Sequence, residues 1–243
     1  MSPTKAAERH AANSTRSAAR RAGLIYFVFM IGGLLGEFVL PSAMVPGDAG
    51  ATARNIVSGE LTYRIGVLTS FVGQVLFLFL VSSLYGLFRE VDRGQARLMV
   101  LLVTVGVAVS LSNMILRFVP LALLGGEDYW SAFSPAQRDA LALGFLKAHG
   151  SGTALSIGFW GLWLFPFGLL VVRSGFIPRI LGVLLWVAGV AYVVASVMAI
   201  LLPEHRQAVF RILMPLYFGE VPIIFWLLIK GAREPKPAAL PAG

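Results

Sequence analysis

Cysteine is absent from the 243-residue chain, so no disulfide, thiolate nucleophile, cysteine zinc site or cysteine-ligated cluster is open to it. Histidine occurs three times, at His10, His149 and His205, with no HExxH motif and no second His at ligand spacing. That removes zinc hydrolases and paired-His haem ligation. Charge is scarce as well. Asp, Glu, Lys and Arg make up 13% of the residues, about half of the ~25% of an ordinary soluble domain. Too few charges remain to cover a soluble surface of this size, which argues against a soluble monomer and against disordered or collagen-like chains. What fills the sequence is apolar: AVILMFWYC residues make up 57% of it. The formal charge of +8, in so apolar a chain, points to anionic lipid at one membrane face before nucleic acid.

A hydrocarbon core of about 30 Å needs about 20 apolar residues in a helix. Six runs meet that length: about Ala22–Leu40, Ile65–Phe88, Leu98–Leu124, Gly150–Val172, Ile180–Leu202 and Ile212–Ile229. They are long and continuous, without the period-two alternation of a transmembrane barrel. In lipid each must satisfy its own backbone, so each reads as a helix. The expected fold is all-α: a polytopic bundle of six transmembrane helices with one or two short interfacial helices on the outer side.

An even span count puts both termini on one side. That side carries thirteen Lys and Arg: five in the N-terminal tail, three after span two, two after span four and three at the end. The opposite side carries six, and Arg117 lies within span three. The positive-inside rule then sets both termini in the cytoplasm. Arg20-Arg21 ahead of an apolar run resembles a twin-arginine or secretory signal, but the run is long enough to span and reads as a retained anchor. The chain divides into a basic cytoplasmic tail (1–21) expected to be disordered, a membrane domain (22–230) and a second cytoplasmic tail (231–243).

Two outer connections hold more than a turn. Ser134-Pro135-Ala136-Gln137 is a helix start: Ser134 caps, Pro135 suits the first helical position and Gln137 reaches back. The helix it opens, to about His149, either lies on the outer surface or runs into span four. Pro46-Gly47-Asp48 is a turn, followed by a short interfacial helix with Ile56, Val57 and Leu61 on one face. These elements either close the outer end by packing or cover a cavity.

An ionisable side chain inside a span costs at least about 2.5–3.5 kcal/mol. Three such residues occur, Glu37, Arg117 and Glu220, with His149 at the mouth of span four. Gln74, Ser110, Asn113, Thr153, Ser156 and Tyr217 are their neutral companions. At helical rise, Glu37 and Arg117 lie about 22 and about 28 Å from the inner edge, and Glu220 and Gln74 about 12 and about 13 Å below the outer edge. All fall near the midplane or in the outer half. Ser110, Asn113 and Arg117 share one helical stripe, and His149, Thr153, Ser156, Trp160 and Trp163 share another. Tyr217 and Glu220 share a third. The stripes are expected to converge on one polar chamber opening outward, with Arg117 paired to Glu37 or Glu220. The competing reading is an ion pair that only holds helices in register. Trp130, Trp160 and Trp186 have a parallel reading as packing or interface aromatics.

The stretches VPGDAGATARNIVSGELTYRIG, FSPAQRDALALGFLKAHGSG, RSGFIPRILGVLL and GEVPIIFWLLIKG resemble the six-span membrane family labelled domain of unknown function 4386. The resemblance runs from about Ala19 to Gly231. It implies six spans and a bacterial membrane, and it matches the polar positions Glu37, Arg64, His149 and Gly219-Glu220. Pro222, close behind Glu220, departs from that pattern and is expected to kink span six. The resemblance carries no mechanism.

No lysine lies mid-span, so a retinal Schiff base is excluded, and no Walker, Rossmann or GxSxG motif occurs. Three functions remain. The first is a chamber binding a small or lipidic ligand through Glu37, Gln74, Asn113, Arg117, His149, Thr153, Trp160, Tyr217 and Glu220. The second is a structural or accessory membrane subunit with a buried ion pair. The third is an intramembrane acid–base enzyme on a lipid or isoprenoid, with Glu37, Glu220 and His149 as acid or base. No metal site and no cofactor is expected. The partners expected are membrane lipid and a small hydrophobic or amphipathic molecule, not nucleic acid.

Overall fold

The computed structural model describes residues 15–33, 43–126 and 128–232. Among these residues every regular element is helical. Helix α1 covers residues 15–33. It is followed by α2 (Ala49–Ser58), α3 (Glu60–Phe88), α4 (Arg93–Met114), α5 (Val119–Leu124) and α6 (Pro135–Leu162). Then come α7 (Leu164–Ser174), α8 (Arg179–Leu201), α9 (Arg206–Tyr217) and α10 (Val221–Phe225).

Among the described residues, five helical stretches are long and apolar enough to cross a membrane: Glu60–Phe88, Arg93–Leu124, Pro135–Ser174, Arg179–Leu201 and Pro203–Lys230. The chain is thus built as a multi-pass membrane protein. Of the first expected span, residues 22–33 are helical and 34–40 lie outside the described residues. Residues 15–21, assigned by their charge to a disordered tail, already belong to α1. Alanines among them favour helix, and Arg16 and Arg20 donate to the carbonyls of Lys230 and Ile229 at 3.3 and 2.7 Å, tying the first helix to the end of the last.

Caps set the helix starts. Ser134 and Gln137 form the capping box that the sequence announces, and α6 runs from it straight into the apolar run that begins at Gly150. Asp48 caps α2 through the Ala51 N–H at 2.8 Å. Thr52, Ala53 and Ile56 form the buried face of α2, whereas Val57 and Leu61 are exposed, Leu61 by 72%. The single apolar face expected from Ile56, Val57 and Leu61 does not exist. Gly59 ends α2, and Leu61 belongs to the next helix.

Three spans are interrupted by one mechanism. Proline lacks an N–H and crowds the carbonyl four residues back. Pro120, Pro166 and Pro222 stand four residues after Leu116, Leu162 and Phe218. At those places the structure has a 3-10 turn at Ile115–Arg117, a break at Trp163, and a 3-10 turn at Phe218–Glu220. The expected disturbance of span six by Pro222 is therefore present. Pro215 is taken up inside α9 without a break.

Helix α8 packs against α6, α7 and α9, while α4 packs against α3, α6 and α7. Gly161 meets the carbonyl of Gly189, and Gly168 and Gly182 meet each other's carbonyls, so a Cβ at any of them would fall within 3.0 Å of backbone oxygen. Small residues at such crossings let membrane helices approach closely without apolar driving force. The deepest core is aromatic. Phe29 stacks on Phe77, and Trp163 stacks on Phe167 and meets Phe77 edge-on. Large apolar side chains such as Leu68, Phe79, Leu101, Val190 and Ile212 face outward, which suits acyl chains as surroundings.

Candidate functional site

The aromatic core stops short of closing. Between α1, α3, the break at Trp163, α8 and the 218–224 stretch lies a cavity of about 380 Å³. Tyr26 and Met30 line it from α1, Ser70, Gly73, Gln74 and Phe77 from α3, and Tyr192 from α8. Trp160 and Trp163 come from the α6–α7 break, and Tyr217, Glu220 and Ile224 from the last span. Gly73 is buried, yet a Cβ added there would meet no atom within 4 Å. Among the described residues, no side chain fills the volume beside it.

Glu220 sits in the 3-10 turn ahead of Pro222, where the helix is interrupted. Irregular backbone at membrane depth is tolerated only inside protein or along a cavity, and this turn lines the chamber. The Tyr26 hydroxyl donates to Glu220 Oε1, joining α1 to the last span. Among the described residues, no ion pair joins Glu220 to Arg117 or to any other cation. The expected Arg117–Glu220 pairing is therefore absent, because a tyrosine supplies the carboxylate's partner. Glu37, the alternative partner, lies outside the described residues.

Gln74 is 8% exposed, and its Oε1 has no partner among the described residues. Trp160 Nε1 is likewise buried without a partner among them. Buried polar atoms are normally paired by protein or water, so both mark the chamber wall as suited to polar contact with something it encloses.

Asn113, His149 and Thr153 stand elsewhere, in a clip between α4 and α6. Asn113 Nδ2 donates to the His149 carbonyl at 2.9 Å and to Thr153 Oγ1 at 3.3 Å. Thr153 Oγ1 donates to the same carbonyl at 3.0 Å, and His149 Nδ1 lies 3.2 Å from the Asn113 carbonyl. The Asn113 carboxamide occupies the space that a Cβ on Gly152 would need. Two of the expected stripes do meet here, but they meet in contact and enclose no space. Thr153 and Tyr217 also border a lateral groove between α6, α8 and α9.

Arg117 stands beside the chamber. It is 2% exposed, and its Nη1 donates at 2.8 Å to Ser70 Oγ, a hydroxyl of the chamber wall. Its own carbonyl, freed in the 3-10 turn before Pro120, accepts from Tyr63 at 2.9 Å. Of the nine expected ligand-binding residues, Gln74, Trp160, Tyr217 and Glu220 line one chamber. Asn113, His149 and Thr153 form the clip, Arg117 lies behind Ser70, and Glu37 is outside the described residues.

A search ranked by charge passes over Tyr26, Tyr63, Ser70, Gly73 and Tyr192. The signal for the tyrosines was present: a phenol at mid-span carries a polar tip that must find a partner in lipid. Trp186 follows the same rule as a packing residue, its Nε1 donating to the Phe165 carbonyl at 3.0 Å.

A stretch of 83 residues is 39% identical to an uncharacterized protein of Archaeoglobus fulgidus, over 34% of this chain and 48% of that protein. The match thus spans about half the length of that relative. No solved structure matches the chain. Residues 21–231 match the family described as Domain of unknown function (DUF4386), and the chain belongs to that family.

Proposed function

We propose that the chamber binds a small amphipathic or lipidic molecule, within a six-span protein of the bacterial cytoplasmic membrane whose termini both face the cytoplasm. The observation that carries this is the open volume beside buried Gly73. Its size falls within the range of about 300–1,000 Å³ of small-molecule sites. Close packing is the rule in protein interiors, and a void walled by aromatics and unpaired polar atoms is a poor way to stabilise a bundle. Membrane lipid is the expected surrounding partner and a source of ligand. The orientation rests on the thirteen-to-six distribution of Lys and Arg, and reporter fusions at each terminus read it directly.

Gly73→Leu tests the chamber. Among the described residues nothing stands within 4 Å of the added Cβ, so folding and thermal stability are retained or rise. Protein purified in lipid nanodiscs is extracted and compared by mass spectrometry. Wild type retains molecules that Gly73→Leu has lost. Identical extracts from both would overturn the binding reading and favour the accessory-subunit reading, for which the clip between α4 and α6 is the specific support. His149 is engaged on Asn113 and does not line the chamber among its described walls. An acid–base role in the chamber would fall to Glu220 and Tyr26.

A further inference from the structure

Resting on the chamber reading, we infer that the molecule bound there is an organic cation: an amine or quaternary ammonium with an apolar body. The walls are acceptor-rich. They hold the Glu220 carboxyl and the Oε1 of Gln74, which is buried without a partner among the described residues. No Lys, Arg or His is among the described lining residues. Among the described residues, no Lys, Arg or His side-chain nitrogen comes within 4.0 Å of the Glu220 carboxylate. Segment 34–42 contains no basic residue in its sequence. An intramembrane carboxyl without a protein cation is short of positive charge, and a ligand ammonium supplies it where low dielectric makes the attraction strong.

The rings point the same way. Tyr192 and Tyr217 are stacked with centroids 4.5 Å apart, and Tyr26 and Trp163 lie 6.0 Å apart. With Trp160 these rings line the same chamber as the acid, and the negative quadrupole of an aromatic face attracts a cation. An anion would meet the same faces and the carboxyl with repulsion. The one unpartnered donor named on the wall, Trp160 Nε1, accommodates a hydroxyl or carbonyl oxygen on the ligand.

The test uses three molecules of one shape. Benzyltrimethylammonium is the cation, neopentylbenzene its uncharged carbon isostere, and benzylsulfonate the anion. Binding to the full chain in zwitterionic nanodiscs is measured by equilibrium dialysis against empty nanodiscs. The cation binds saturably and at least about tenfold more tightly than either isostere. Glu220→Gln weakens it about tenfold. Trp160→Leu removes a π face without touching the acid, weakens the cation in the same direction, and keeps the test available if Glu220→Gln does not fold. Equal binding of cation and neutral isostere, with both lost in Gly73→Leu, overturns the charge assignment and leaves the chamber reading intact. Binding of none of the three, or binding unchanged in Gly73→Leu, overturns both.

Discussion

The clip between α4 and α6 and the chamber beside α3 use similar polar side chains to opposite ends. In the clip, Asn113, His149 and Thr153 satisfy one another, and the space above Gly152 is taken by the Asn113 carboxamide. In the chamber, among the described residues, the space above Gly73 is open and Gln74 Oε1 finds no partner. Polarity inside a bundle therefore does not by itself mark a binding site. The proposed site differs in setting its polar groups beside volume that the described residues leave open.

The contrast predicts opposite responses to added bulk and to lost polarity. Gly152→Val drives a branched side chain into the Asn113 carboxamide and separates α4 from α6, with an expected loss of about 3 kcal/mol. Equilibrium unfolding in mixed micelles measures it, and a neutral result would mean the clip is not rigid. Gln74→Leu works the other way. It removes an unpaired buried acceptor, so stability rises by about 1 kcal/mol, while ligand retention falls. A loss of stability instead would show that Gln74 is satisfied.

The smallest effect lies outside both regions. The Asp92 carboxyl accepts the Gln95 N–H at 3.0 Å and meets Arg173 Nη1 at 2.5 Å, joining the α3–α4 turn to the end of α7. The Gln95 N–H, and then the Arg173 charge, hold it below the usual carboxylate range. A lowered value in the folded state means that its contribution is complete above the ordinary carboxylate range and is lost as pH falls through the lowered value. Asp92→Asn keeps a good cap and flattens that acid limb of the stability profile. An unchanged limb would show that the pair is fully screened.

Much of the architecture could be read directly from the residues. The apolar runs locate the spans, and Ser134-Pro135-Ala136-Gln137 fixes a helix start because capping is a local, short-range event. The convergence of the polar stripes was harder. Spacing tells which residues share a face of one helix, but not which neighbour that face meets. Asn113 and Thr153 shared the expected direction and met; Arg117 and Glu220 did not. Each of the latter lies in a proline-induced 3-10 turn, where the regular helical rotation no longer applies. The partner of Glu220 was a neutral phenol, which no tally of opposite charges brings forward. Gly73 carried no signal at all, since an unfilled volume is a property of the assembled helices.

The bond between Tyr26 and Glu220 also has a place in time. A ribosome delivers this chain from its amino end, so Tyr26 emerges well before Glu220. The segment that carries Glu220 brings an acid and two prolines, Pro215 and Pro222, into the bilayer. When it emerges, the phenol that receives its carboxyl is already embedded. Biogenesis thereby gives a late-arriving acid a partner that waits for it, at the contact between α1 and the segment of Glu220.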